Sequence, residues 1–163
     1  MTKIGVYPGT FDPMTNGHLN IIKRSLKIVD TLIIAVADNL NKKTLLSIDE
    51  RKDIINKNIS ILELNNKKIE IKSVKGLLTK FAADHKADCI IRGLRAVSDF
   101  EYEFQMTGMN FELNPNIETI FLMALDKNSF ISSKLVKEVH KLGGDVSSFV
   151  SEHTINVLNK KNT

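Results

Sequence analysis

The chain reads as a doubly wound α/β protein built on a five-stranded parallel sheet. Short apolar runs with strand character alternate with segments of helical periodicity along all 163 residues. Residues 31–37, Thr-Leu-Ile-Ile-Ala-Val-Ala, are apolar nearly throughout, as a strand covered on both faces requires. Polar and cationic residues fall in the loops after the first, second, fourth and fifth strand-like runs. That is the sheet edge where ligands collect in this architecture.

Ile4 to Tyr7 is the first strand, and Leu19, Ile22, Leu26 and Val29 recur at helical spacing after it. Ser47-Ile48-Asp49-Glu50 is a capping box opening a helix to about Leu62. Ile69 to Val74 alternates as a strand, and Gly76 leads into a helix through Leu77, Leu78, Phe81 and Ala82. Ala87 to Arg92 is the fourth strand, with Gly93-Leu94-Arg95 as its turn. Ser98-Asp99-Phe100-Glu101 is a second capping box, and its helix carries Phe100, Tyr102, Phe104, Met106, Met109 and Phe111 as core or subunit-interface residues. Glu118 to Ala124 is the last strand. Helices follow over Phe130 to Leu142, stopped by Gly143-Gly144, and over Ser151 to Lys160.

One domain over residues 1–163 is expected, with 42% apolar and 26% charged residues. The net charge of +4 suits phosphorylated small molecules, and the interleaving of basic with acidic residues argues against nucleic acid as the main ligand. Cys89, the single cysteine, lies in a strand-like run and excludes an internal disulfide or a multi-cysteine zinc site. No apolar run reaches the length of a membrane span, and the first strand leaves no room for a signal peptide. A cytoplasmic location away from membranes is expected. His85, His140 and His153 read as surface residues.

The stretch Tyr7-Pro8-Gly9-Thr10-Phe11-Asp12-Pro13-Met14-Thr15-Asn16-Gly17-His18 is a phosphate-binding corner. It runs from a strand through a Gly- and Pro-rich turn to a helix start, where free N–H groups and the positive helix end face a ligand. Gly9 and Gly17 supply the turn and the close approach. A glycine turn after the first strand is common, and this one is neither GxGxxG nor GxxxxGK[ST]. The distinguishing feature is Thr15-x-Gly17-His18. An imidazole at a helix N-terminus is disfavoured as a cation, and it is suited to donating to a phosphoryl oxygen.

Together with Ile91-Arg92-Gly93-Leu94-Arg95, Asp99-Phe100-Glu101-Tyr102-Glu103 and Ser129-Phe130-Ile131-Ser132-Ser133, this stretch resembles the phosphopantetheine adenylyltransferase family. That family lies within the nucleotidyltransferase superfamily marked by (His/Thr)-x-Gly-His. The resemblance is colinear over essentially the whole chain and implies a Rossmann-like nucleotidyltransferase fold. It implies adenylyl transfer from ATP to 4′-phosphopantetheine, giving dephospho-coenzyme A and pyrophosphate in coenzyme A biosynthesis. Direct in-line attack without a covalent enzyme intermediate is expected, and no nucleophilic triad is visible in the chain.

By the same resemblance His18 is the transition-state stabiliser, with Lys42 and Arg95 as further catalytic residues. Thr10, Lys42, Leu78 and Arg92 would contact the acceptor. Thr10, Phe11, His18, Gly93, Leu94, Arg95 and Glu103 would bind ATP. Asn128, Ser129, Phe130, Ile131, Ser132, Ser133 and Lys134 would complete that site, the serine hydroxyls and helix N–H groups converging on the β- and γ-phosphates. From the residues alone, Lys42 is a solvated loop lysine, Leu78 a core leucine and Glu103 a helix-surface acid. Magnesium held mainly by phosphates and water, a homohexamer, and coenzyme A as a feedback ligand are also implied. The chain departs from the family pattern at Asn128, usually aromatic, at Lys134, commonly Ser or Thr, and at Leu40 and Thr44, where prolines are usual. Two alternatives stand beside this reading: a related transferase acting on nicotinamide mononucleotide or a polyol phosphate, and a nucleotide-sensing module without turnover.

Overall fold

A computed structural model describes residues 2–38, 43–95, 97–123 and 131–161. Strands β1 (Ile4–Gly9), β2 (Thr31–Ala37), β3 (Lys68–Val74), β4 (Cys89–Leu94) and β5 (Glu118–Met123) pair in parallel in the order β3-β2-β1-β4-β5. The chain winds outward from β1 through β2 to β3, then crosses back to build β4 and β5 on the other side. The order reverses between β1 and β4, which opens a crevice at their carboxyl ends. The doubly wound reading therefore stands.

Helices α1 (Asn16–Ser25), α2 (Ile48–Ile59), α3 (Leu78–Asp84), α4 (Val97–Leu113), α5 (Ser133–Lys141) and α6 (Glu152–Asn159) connect and cover the strands. Alternation along the strands sorts the core into two layers. Tyr7, Leu32, Ile34, Val36 and Ile91 face Ile21 and Ile22 of α1, Ile54 and Ile55 of α2, Val136 of α5 and Leu158 of α6. Val6, Ile33, Ala35 and Ile90 share the other layer with Ala82 of α3. Cys89 lies buried in the first layer, and burial raises its thiol pKa, as expected of an inert cysteine.

Several boundaries differ from those expected, each for a local reason. β1 continues through Pro8 to Gly9, paired with Ala35 and Val36. Gly9 is needed because the Phe11 ring lies over it; a Cβ there would sit 2.8 Å from the ring. The left-handed residue of the turn is Phe11 itself, at φ 51°. β4 likewise absorbs Gly93 and Leu94, which pair with Leu122 and Met123 of β5. A Cβ on Gly93 would come within 3.1 Å of Ile21, so this glycine admits α1 close to the sheet and makes no turn.

Helix α1 begins at Asn16 and ends at Ser25, leaving buried Val29 in the turn beyond it. Helix α4 starts at Val97, which puts Ser98 inside its first turn. The aromatic residues of α4 are largely exposed, with Tyr102 and Phe104, on opposite faces of the helix, above 60%. These residues do not belong to the core of this chain. Helix α5 starts at Ser133, capped by Ser132, and stops where Gly143 takes φ +80° and Gly144 N–H donates to Val139 O at 2.9 Å. Phe130 and Ala124 lie outside the described residues.

Arg51 braces the crevice from behind and is only 3% exposed. Its Nη1 donates to Thr10 O at 2.9 Å and to Ala37 O at 2.8 Å, and its Nε to Ser47 O at 3.3 Å. One guanidinium thus joins the loop after β1, the end of β2 and the cap of α2. Replacing it by Met would leave buried carbonyls without their donor. Arg51→Met should lower unfolding free energy by about 1–3 kcal/mol, read by urea denaturation. A change within the error of the titration would remove Arg51 as a brace.

Candidate active site

A cleft of about 770 Å³ opens at the carboxyl ends of β1 and β4. Its walls come from the loops after β1 and β2, the end of β4, one face of α4 and the start of α5. Of the residues proposed from sequence, Thr10, Phe11, His18, Arg92, Gly93, Arg95, Glu103, Ile131, Ser132, Ser133 and Lys134 line it. Leu94 is buried in β4, and Leu78 packs against the Val6–Ile33 layer; neither is among the lining residues. Lys42, Asn128, Ser129 and Phe130 lie outside the described residues, whereas Lys43 and Thr44 line the cleft.

His18 caps its own helix. Thr15 N–H donates to His18 Nδ1 at 3.0 Å, and His18 N–H returns to Thr15 Oγ1 at 3.4 Å. In this capping box the imidazole takes the place of the usual Glu or Gln. Because Nδ1 accepts a backbone proton, the neutral ring carries its own proton on Nε2. The ring leans on Phe11 with centroids 5.1 Å apart. Burial, and secondarily the Arg95 charge, push the His18 pKa down to about 4. The positive end of α1 acts in the same direction. His18 is therefore a neutral donor at pH 7, held at one tautomer by the turn that begins its helix.

Arg92 leaves β4 toward α4. Its Nε donates to Glu103 Oε2 at 2.7 Å, its Nη2 pairs with Oε1, and its Nη1 reaches Pro8 O at 3.4 Å. Burial alone would lower the Arg92 pKa, but the Glu103 hydrogen bonds and charge outweigh it and raise it. Glu103 is buried at 9% exposure, so it is not the surface acid its helical position suggests. It orients the guanidinium. Tyr7 stands beside this pair, and burial pushes its phenol far above the ordinary value, keeping it protonated.

At the second corner both serine hydroxyls have structural work. Ser132 Oγ accepts Leu135 N–H at 3.1 Å and caps α5; Ser133 Oγ donates to Pro13 O at 2.7 Å and ties α5 to the first loop. What α5 presents to an anion is its terminal N–H groups and Lys134.

Sequence reasoning passed over Asp12, Arg51 and Lys137. Lys137 had a signal: four residues after Ser133, it shares that residue's helix face. Asp12 and Arg51 had none, since their partners are distant in sequence. The remaining histidines have partners of their own, His85 with Phe81 O, His140 with Asn159 and His153 with Asp53. Among the described residues, no three His, Cys, Asp or Glu side chains converge to hold a metal ion.

The His18 assignment has a direct measurement. Nitrogen-15 spectra of the free protein should show the Nε2–H tautomer, titrating near pH 4 instead of about 6.5. The unfolded chain takes up this proton first, so the contribution to stability is complete above about pH 6.5 and lost as pH falls toward 4. A His18 midpoint near 6.5 would contradict the assignment.

The cytidylyltransferase-like family model matches residues 6–139. A phosphopantetheine adenylyltransferase of Rhodospirillum centenum is 54% identical over 149 residues, covering 91% of this chain and 81% of that protein. One from Pelagibacter ubique is 49% identical over 162 residues, 99% of both chains. Among solved structures, nicotinic acid mononucleotide adenylyltransferase of Plasmodium falciparum with NaAD aligns over 99% of this chain and 97% of its own. Its TM-score is 0.72 at 17% identity, a likeness of fold alone. With a cleft at the β1–β4 switch point, a histidine-capped α1 and these relatives, the chain belongs to the phosphopantetheine adenylyltransferase family of the cytidylyltransferase-like nucleotidyltransferases.

Proposed function

We propose that this protein transfers the adenylyl group of ATP to 4′-phosphopantetheine. A phosphate oxygen of the acceptor attacks the α-phosphorus in line. The bond to the β-phosphate breaks, and pyrophosphate departs with that electron pair, leaving dephospho-coenzyme A. The observation that carries this reading is the neutral, tautomer-fixed His18 opening on a cationic cleft. Its Nε2–H can donate to an α-phosphoryl oxygen as negative charge accumulates there, without a proton having to be moved.

The other residues bind and align. Arg92, held edge-on by Glu103, keeps its outer Nη protons for the acceptor phosphate. Thr10 and Lys43 complete that side, where the family resemblance also assigns Lys42 a role. Arg95, Lys134 and the α5 terminus face the triphosphate side. Among the described residues two carboxylates line the cleft, and each already holds a cation of this chain: Glu103 pairs with Arg92 and Asp12 with Lys137. That donor set fits magnesium carried by phosphates and water rather than by a protein cage. When bound, the ion neutralises charge on the polyphosphate.

Assembly into a homohexamer belongs to the same reading. The exposed aromatic stripe of α4 (Phe100, Phe104 and Phe111, which share one face at helical spacing) supports contact with further copies of this chain, since a row of exposed rings is usually covered. Light scattering should give about six times 18.3 kDa. A mass of one chain would exclude the assembly.

The reaction itself is tested by incubating the protein with ATP, magnesium and 4′-phosphopantetheine. Dephospho-coenzyme A and pyrophosphate should appear, whereas nicotinamide mononucleotide should release none; the reverse pattern would overturn the substrate assignment. In single turnover, His18→Ala should lose roughly 100- to 1,000-fold in rate while ATP affinity changes far less. Equal rates in variant and parent would remove the imidazole from the mechanism.

A further inference from the structure

We infer that Asp12 is a positioning residue that ties the acceptor side of the cleft to the triphosphate side; the inference rests on the substrate reading above. Asp12 follows the left-handed Phe11 and is 4% exposed. Its Oδ1 accepts Leu46 N–H at 2.9 Å. Its Oδ2 accepts Leu45 N–H at 3.0 Å and pairs with Lys137 Nζ. These partners lie 34, 33 and 125 residues away in sequence. One carboxylate therefore joins the loop after β1, the loop after β2 and helix α5.

Direct contact with substrate does not explain this carboxylate. It lines a cleft suited to polyphosphates, where an unpaired negative charge would repel them. Two N–H groups and an ammonium already neutralise it, so its influence passes through those partners. Leu45 and Leu46 anchor the segment whose preceding residues, Lys43 and Thr44, face the cleft. Lys137 lines the same cleft one helical turn beyond Ser133 and Lys134. A second strap, Ser133 Oγ to Pro13 O, joins α5 to the residue next to Asp12. Two loops and a helix end thus meet at Asp12-Pro13, and Lys137 on one side and the segment following Lys43 and Thr44 on the other are held by it.

Asp12→Asn removes the charge that holds Lys137 and turns one acceptor into a donor. The KM values for ATP and for 4′-phosphopantetheine should each rise about tenfold. The saturated kcat should fall much less, because bound substrates themselves reassemble the loops. Lys137→Met should raise the ATP value alone, Lys137→Arg should restore it, and the Asp12→Asn/Lys137→Met double variant should be no worse toward ATP than the worse single one. A kcat loss with both KM values unchanged would mean that the carboxylate acts on the reaction itself, and additive losses would mean that the two residues are uncoupled; either overturns the inference. Circular dichroism checks folding, and if Asp12→Asn does not fold, the two Lys137 variants decide. Should the parent form no dephospho-coenzyme A, the substrate reading fails by itself. The coupling is then read from ATP affinity by calorimetry, where non-additivity supports it and additivity removes it.

Discussion

Thr15 and His18 exchange two hydrogen bonds across the first turn of α1, and the rest of the site is arranged around that exchange. Any good cap would start the helix; a Glu at the third position would satisfy the same backbone donor. An imidazole does so through one ring nitrogen and keeps the other, with its proton, for the cleft. Helix initiation and tautomer selection are thus one event. Burial supports it, because a ring with a pKa near 4 does not exchange its donor role for a cationic one at neutral pH.

The cationic surroundings are built on the same economy of contacts. Arg92, Arg95, Lys43, Lys134 and Lys137 all line the cleft, and the carboxylates of Glu103 and Asp12 among them serve as clamps. Glu103 sets the plane of the Arg92 guanidinium, and Asp12 sets the position of the Lys137 ammonium. Long flexible cations would otherwise sample many rotamers, and ordering them on binding would cost affinity. Held in place beforehand, they meet an anionic ligand with less to reorganise.

Packing sets the scale of the crevice. Gly9 lies under the Phe11 ring and Gly93 lets Ile21 approach the sheet, so α1 sits close to the strand ends. Phe11 in turn meets Tyr7 edge-on at 5.5 Å and His18 at 5.1 Å, which links strand, turn and helix through one aromatic contact chain. Arg51 closes the back of the same turn. The position of the imidazole therefore depends on close packing as much as on hydrogen bonds.

The amino-acid sequence by itself determined the parallel α/β class, the alternation of elements, the capping box at Ser47, the Thr15-x-Gly17-His18 corner, and the loops that form the cleft. These are properties of residues near each other in the chain, where periodicity and cap chemistry act. Only the tertiary structure decided that Gly93 serves helix packing, that Glu103 belongs to Arg92, that the Ser133 hydroxyl braces α5, that His18 completes the cap at Thr15, and that Asp12, Arg51 and Lys137 join the site. Each of these rests largely on partners brought together by the sheet order rather than by the chain, up to 125 residues apart. Local periodicity carries no trace of such pairs, because their geometry exists only once β1 lies between β2 and β4.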